Sequence, residues 1–224
     1  MSEHILLLGA SGAVGTHFAR SALREGHTLT LYLRNPSKLA PEIAAHPSVT
    51  IFEGSLDNRQ ELQKAVKHGG GSVFVSLLGP VVALRGSSGT PITDGLKILY
   101  PLLLEAGCKR AIVIATPSYN VPGDKSSWKW FAAVTFIRVF GGSAYYEING
   151  IGAATAAIPI EELAWTMPRL SILTNGKEDM PVVGSLIGSG DDWLTISRAS
   201  LAAWCLAEVS AKKWVGKCPL LSNH

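Results

Sequence analysis

The chain has 224 residues, of which 47% are hydrophobic and only 17% charged, so it is too apolar for disorder and long enough to bury a full core. A formal net charge of +3 with no Lys/Arg block gives no footprint for nucleic acid, and no such partner is expected. Cys108, Cys205 and Cys218 are scattered, the histidines form no spaced pair, and neither a disulfide framework nor a metal site is predicted; a reducing, cytoplasmic compartment suits this usage.

Ile5–Leu8 is a continuous aliphatic run, too short for a signal-peptide core, and reads as a strand that leads straight into a glycine turn. Val14–Arg24 reads as a helix and Thr28–Leu33 as a second strand, giving a β-α-β opening. The pattern repeats with strand Val49–Phe52, helix Asn58–His68, strand Ser72–Leu77, helix Asp94–Ala106 and strand Ala111–Ala115. Short buried runs alternating with helices predict an α/β fold, a doubly wound parallel sheet of the Rossmann kind covered on both faces. After Thr116 the regularity weakens, and the substrate side is expected mainly over residues 117–195. Trp165–Leu170 reads as a further strand, Leu173–Trp193 as loops, and Ser197 as the cap of a last helix to about Ser210. The apolar region Trp128–Ile160 is interrupted by Lys129, Arg138 and Glu147, so no membrane span is expected, while loose surface association stays open. One domain, 1–224, acting as a monomer or homodimer on a small molecule, is the predicted organisation.

Gly9-Ala10-Ser11-Gly12-Ala13-Val14-Gly15 stands directly after the first strand and opens the first helix. In this position Gly9 makes the sharp turn, Gly12 lets backbone approach a pyrophosphate and Gly15 lets helix and strand pack closely, while the helix N-terminus offers N–H groups to an anion. Ser11, Ala13 and Val14 belong to the same cradle. A plain strand-to-helix turn is the bland alternative, but the full β-α-β context favours a dinucleotide. Where an NAD-selective site would present a carboxylate to the ribose, the second strand ends in Arg34, with Lys38 nearby; cations there suit the 2′-phosphate of NADP(H). A solvated loop charge is the ordinary alternative for each.

With these residues in place the chain resembles the atypical short-chain dehydrogenase/reductase superfamily, in its NmrA-like, NAD(P)-binding branch that includes biliverdin-IXβ-reductase-like enzymes. Beyond GASGAVG and LYLRNPSKL, the resemblance rests on VTIFEGSLDN, SVFVSLLG, GCKRAIVIAT, ELAWTMPRLSILTNG and ISRASLAAWCLAEV, and covers nearly the whole chain. It implies that Leu56 and Asp57 sit near the adenine, that Leu77, Leu78 and Gly79 line the cofactor beyond its pyrophosphate, and that Thr116 lies near the nicotinamide. Asp57 can instead cap the following helix, and the leucines can be core residues. Pro168-Arg169 reverses the family's Arg-Pro order.

The Tyr-x-x-x-Lys pair that most short-chain reductases use is absent: four residues beyond Tyr119, Tyr145 and Tyr146 stand Gly123, Asn149 and Gly150. An unassisted tyrosine near its normal pKa is a poor general acid. Hydride transfer survives this loss, because the cofactor carries the hard chemistry. Candidate proton donors or carbonyl-polarising groups are Ser118 and Tyr119 just past the fifth strand, with an ordinary loop as their bland reading, and Tyr145 or Tyr146 further on, with a packed aromatic pair as theirs; Glu147 beside them is a candidate general base if buried, with a solvated helix charge as its ordinary reading. Trp128, Trp130 and Trp165 are candidates to frame an aromatic pocket. The expected function is NADPH-dependent reduction of a small cyclic or aromatic carbonyl or conjugated compound. The alternatives are a non-catalytic NADP(H) sensor of the NmrA-like kind, and a non-redox isomerase, dehydratase or cyclase working through Tyr146 and Glu147.

Overall fold

The computed structural model describes residues 2–69, 73–80, 89–177 and 180–224. Six strands, β1 (His4–Leu8), β2 (Thr28–Leu33), β3 (Val49–Glu53), β4 (Val73–Ser76), β5 (Arg110–Val113) and β6 (Ala164–Thr166), form one sheet in the order β3-β2-β1-β4-β5-β6. Every pairing is parallel. This is the doubly wound order, whose direction of winding reverses between β1 and β4. Ser72, the predicted start of the fourth strand, lies outside the described residues.

The inner strands are buried along most of their length because both faces of the sheet are covered. Ile5 and Leu7 of β1 face one core with α1 (Ala13–Arg24) and α7 (Arg198–Ala211). Leu6 and Leu8 face the other, with α3 (Arg59–Gly69), α4 (Pro91–Glu105) and α6 (Ala144–Ala156). A single 3-10 turn, Pro36–Lys38, and the four-residue α2 (Pro41–Ala44) bridge β2 to β3.

Helix ends depart from the sequence expectation where a distant side chain supplies the cap. The Ser197 hydroxyl accepts the Ser200 N–H at 2.9 Å and starts α7 as expected. The cap of α3 is Asn58 and not Asp57: its amide oxygen accepts the Glu61 N–H at 3.2 Å, while Asp57 accepts the Ser55 hydroxyl. α4 begins at Pro91 rather than Asp94, a proline being well suited to a first helical position where no N–H is needed.

Two further helices and a second layer of short strands were not foreseen. The aromatic stretch after the fifth strand forms α5 (Trp128–Phe140), followed by α6. The predicted strand Trp165–Leu170 is two strands, β6 and β7 (Arg169–Leu170), because Pro168 has no N–H to continue the ladder. The expected loop region 173–193, of which Glu178 and Asp179 lie outside the described residues, holds most of β8 (Ile172–Thr174) and all of β9 (Val182–Ser185). β8 pairs with β10 (Thr195–Ser197), and β11 (Leu220–Asn223) runs between β7 and β9. A buried ion pair, Arg110 to Glu208 at 3.0 Å, ties the last turns of α7 to the start of β5. The N-termini of α7 and α1 therefore both open at the carboxyl edge of the main sheet.

Candidate functional site

At that carboxyl edge a cleft of about 430 Å³ runs from the start of α1, past the ends of β4 and β5, to α5, α6, β8 and the first residue of α7. Its position is the crevice that a doubly wound sheet presents at its switch point.

The glycine turn forms one end. Gly9 has a φ of +86°, and a Cβ there would lie 2.9 Å from the Leu77 carbonyl, so β1 and β4 can meet only over a glycine. A Cβ at Gly15 would lie 2.0 Å from the Gly9 carbonyl oxygen, which makes Gly15 a packing requirement of the turn itself. Gly12 differs: its nearest obstacle would be the Gly9 oxygen at 3.3 Å, and the residue is exposed and lines the cleft together with Ala13, Val14 and Gly15. The first N–H groups of α1 have no partner within the helix and face this space. A bare backbone cradle at a helix N-terminus fits a pyrophosphate. Ser11 is exposed beside it without lining the cleft.

Arg34 and Lys38 are exposed after β2, the neighbour of β1, on the same edge as the turn. The Asn35 side chain accepts the Ser37 N–H at 3.0 Å and so shapes the short turn that carries Lys38. Leu56 is half-buried and packs on α4 at Gly95, and Asp57 is exposed; both follow β3 outside the cleft. Leu77, Gly79 and Thr116 line it, and Leu78 is half-buried and packs against the core on the α4 and α6 face of the sheet.

Of the proton-transfer candidates only Ser118 lines the cleft. Its backbone N–H donates to the Thr116 hydroxyl at 3.3 Å, and among the described residues its own hydroxyl has no partner. The Tyr119 ring packs on Gly152 of α6, and burial, reinforced by the neighbouring Cys218, raises its phenol above the ordinary tyrosine value. Tyr146 is 65% exposed on the outside of α6. Tyr145 sits edge-on to it and under the Arg138 guanidinium, in a second, smaller concavity on the other side of α5.

Glu147 is buried, but its carboxylate is taken up elsewhere. It accepts the Thr93 N–H and hydroxyl, each at 2.7 Å, and the Ile92 N–H at 3.1 Å. It thus caps α4 from across the helix pair, which corrects its reading as a free general base. The tryptophans separate likewise. Trp130 lines the cleft and donates its indole N–H to the Asp192 carbonyl at 3.3 Å, Trp128 is 84% exposed, and Trp165 is a core residue of β6.

The substrate-side wall contains residues that sequence reasoning passed over: Ala133, Val134 and Ile137 of α5, Leu170 to Leu173, and Arg198. Arg198 is the one charged side chain among the described residues lining the cleft, and it donates to the Asn175 side chain at 2.7 Å. The usable signal was the i, i+3, i+4, i+7 spacing of Trp130, Ala133, Val134 and Ile137, which is obscured by equally apolar residues between them.

The loop between β5 and α5 is held by Arg169. Its fully buried guanidinium donates to Asp124 at 2.5 and 2.9 Å and to the Cys218 carbonyl at 2.9 Å. Burial alone would raise the Asp124 carboxyl, but hydrogen bonds from Arg169 and the Val121 N–H outweigh it and hold the group below its ordinary value. Arg169 is accordingly a structural clamp.

A family model described as NAD(P)H-binding matches residues 9–212. A search of curated proteins finds no match. Among solved structures, a short-chain dehydrogenase/reductase from Veillonella parvula in complex with NADP is 18% identical, covers 100% of this chain and 95% of its own, and superposes with a TM-score of 0.77. ChuY, described as an anaerobilin reductase from Escherichia coli O157:H7, is 16% identical over 98% of this chain and 96% of its own, with a TM-score of 0.73. The oxidoreductase ylbE from Lactococcus lactis is 15% identical over 98% of this chain and 90% of its own, with a TM-score of 0.71. At these identities the likeness shows the shared Rossmann-like fold.

Proposed function

Because the chain belongs to the NAD(P)H-binding family, we propose that it is an NADPH-dependent oxidoreductase that reduces a small cyclic or aromatic carbonyl or conjugated compound. The observation that carries this reading is the single cleft joining the glycine turn to a mostly apolar chamber lined by three hydroxyl residues, Thr116, Ser118 and Ser171, of which Ser171 is bonded to the Trp193 carbonyl and Thr116 to the Ser118 N–H. When bound, the nicotinamide supplies a hydride. The chain's own contribution is placement. The first turn of α1 holds the pyrophosphate, Arg34 pairs with the 2′-phosphate, and Leu77, Gly79 and Thr116 border the inner half of the cofactor. Trp130, Ile137, Ile148 and Leu170 wall the acceptor off from water, so that a hydrogen bond from Ser118 to a carbonyl oxygen acts in a low dielectric. Ser118, or water beside it, is the proton source in this scheme. A non-redox reaction through Tyr146 and Glu147 draws no support from the geometry, since neither residue reaches the cleft.

Calorimetric titration with NADPH and NADH at one fixed ionic strength tests the reading. NADPH is expected to bind at least about tenfold more tightly, a preference of about 1.4 kcal/mol that Arg34→Ala removes. Absence of binding by either dinucleotide would overturn the proposal.

A further inference from the structure

Apart from Ile160, the large hydrophobic side chains that stand exposed among the described residues belong to one connected region. Trp128, Phe131, Phe136, Val139 and Phe140 are on α5, Tyr146 is on the first turn of α6, and Ile172, Leu186, Trp193 and Leu194 are on β8 and the 186–194 segment. These pieces are bonded together: the Ile172 N–H donates to the Leu194 carbonyl at 2.8 Å, the Lys125 N–H to the Ile187 carbonyl at 2.9 Å, and Lys129 pairs with Asp192 at 3.1 Å. α5 is consequently apolar on both sides. Its inner residues Trp130, Ala133 and Ile137 are a wall of the cleft, while Phe131, Phe136 and Phe140 point outward, the last two with rings 5.1 Å apart. A helix apolar all round, with one face open, needs a second apolar environment.

Charge selects the occupant. From Lys125 to Tyr146 every charged residue is basic: Lys125, Lys129 and Arg138. The acids bounding α5 are withdrawn, Asp124 into the Arg169 clamp and Glu147 into the cap of α4, and on the 186–194 segment Asp192 is buried while Asp191 is exposed. Lys129 is matched by Asp192, which leaves Lys125 and Arg138 exposed at the rim of an aromatic face. A second copy of this chain docked about a two-fold axis through α5 would set Arg138 and Lys125 toward their own copies, with Asp191 the single exposed acid of these segments to offset the two cations. Anionic headgroups over an acyl boundary match both features, with tryptophan and phenylalanine at the depth they favour and cations at the lipid phosphates. At 13 residues, α5 is too short to span a bilayer and suits a position in its surface plane.

We propose that the α5 face is a peripheral docking site for an anionic membrane surface. The same helix forms the cleft wall, and Ile172 belongs both to the cleft lining and to the exposed patch, so docking sets the chamber beside the lipid. On the reductase reading above, its substrate class is then an apolar compound that partitions into the bilayer.

The test is flotation of the purified full-length protein with vesicles of phosphatidylcholine alone and of phosphatidylcholine with phosphatidylserine, with NADPH titrated calorimetrically into the same samples. Flotation with the anionic vesicles, at least tenfold weaker on phosphatidylcholine alone, is expected. The double variant Phe131→Ser, Phe136→Ser is expected to lose at least tenfold in vesicle binding with its Tm and NADPH affinity unchanged, and Arg138→Glu to weaken binding to the anionic vesicles alone. Failure to float with anionic vesicles overturns the proposal. So does a concentration-dependent dimer in sedimentation velocity that the double variant dissociates. NADPH binding reads the cofactor proposal separately, so either can fail alone.

Discussion

The three glycines of the first turn are crowded to different degrees, and substitution separates them. Gly15→Ala drives a methyl into the Gly9 carbonyl, an overlap with no flexible side chain to move aside, and should cost about 3 kcal/mol or more, lowering Tm by roughly 6 °C or more in a domain of this size. Gly12→Ala meets only a mild contact with the protein and should leave Tm within about 2 °C, yet weaken NADPH binding at least about tenfold, because the space it fills is the ligand's. Thermal melts and calorimetry on the two variants check the contrast. A similar separation applies to the acid-base candidates. Ser118→Ala is expected to lower kcat by about 100-fold with an unchanged Tm. Glu147→Gln should leave kcat alone and lower Tm by roughly 4–8 °C, since it replaces a charged acceptor of three hydrogen bonds. The cap was illegible in the sequence because Glu147 and Thr93 are brought together only by the packing of α6 on α4. The glycine cradle was legible because all its parts are local.

Among the elements, the first five strands of the main sheet and α1, α3 and α7 could be read directly, since burial on both faces or on one face leaves an unambiguous pattern. α5 and α6 could not. Their residues are apolar toward the core and apolar outward, so the helical period has no polar phase to reveal it, and only the cleft-side spacing from Trp130 to Ile137 survives. The loop leading into α5 depends on one buried pair. Asp124 is held below its ordinary value of 3.8, so it contributes stability that is present above that value and lost as pH falls through the lower value of the folded state. Tm measured from about pH 5 down to about pH 2 should show an acid limb that is flattened in Asp124→Asn. At neutral pH that variant should be less stable by roughly 3–5 kcal/mol, because Arg169 is left buried without its counter-charge.

For the molecule as a whole, the sequence pointed to the doubly wound sheet and the edge at which its cleft opens, while the short strands β7 to β11 were missed or merged. Each of these is only two to four residues long, and pairs such as Leu170 with Leu221 join positions too far apart for any local pattern. β11 has an outsized place in this second layer. It joins β7 to β9, and the Asn223 side chain accepts the Ser197 N–H at 2.6 Å and donates to the Pro181 carbonyl at 2.9 Å, bracing the start of α7 where Arg198 enters the cleft. The six strands of the main sheet, by contrast, are all encoded by residue 166. During synthesis on the ribosome the glycine turn therefore emerges first, and the opposite wall of the cleft is braced only once residues 220–223 have left the exit tunnel. A chain clipped between the two would present the glycine turn facing an unfinished chamber.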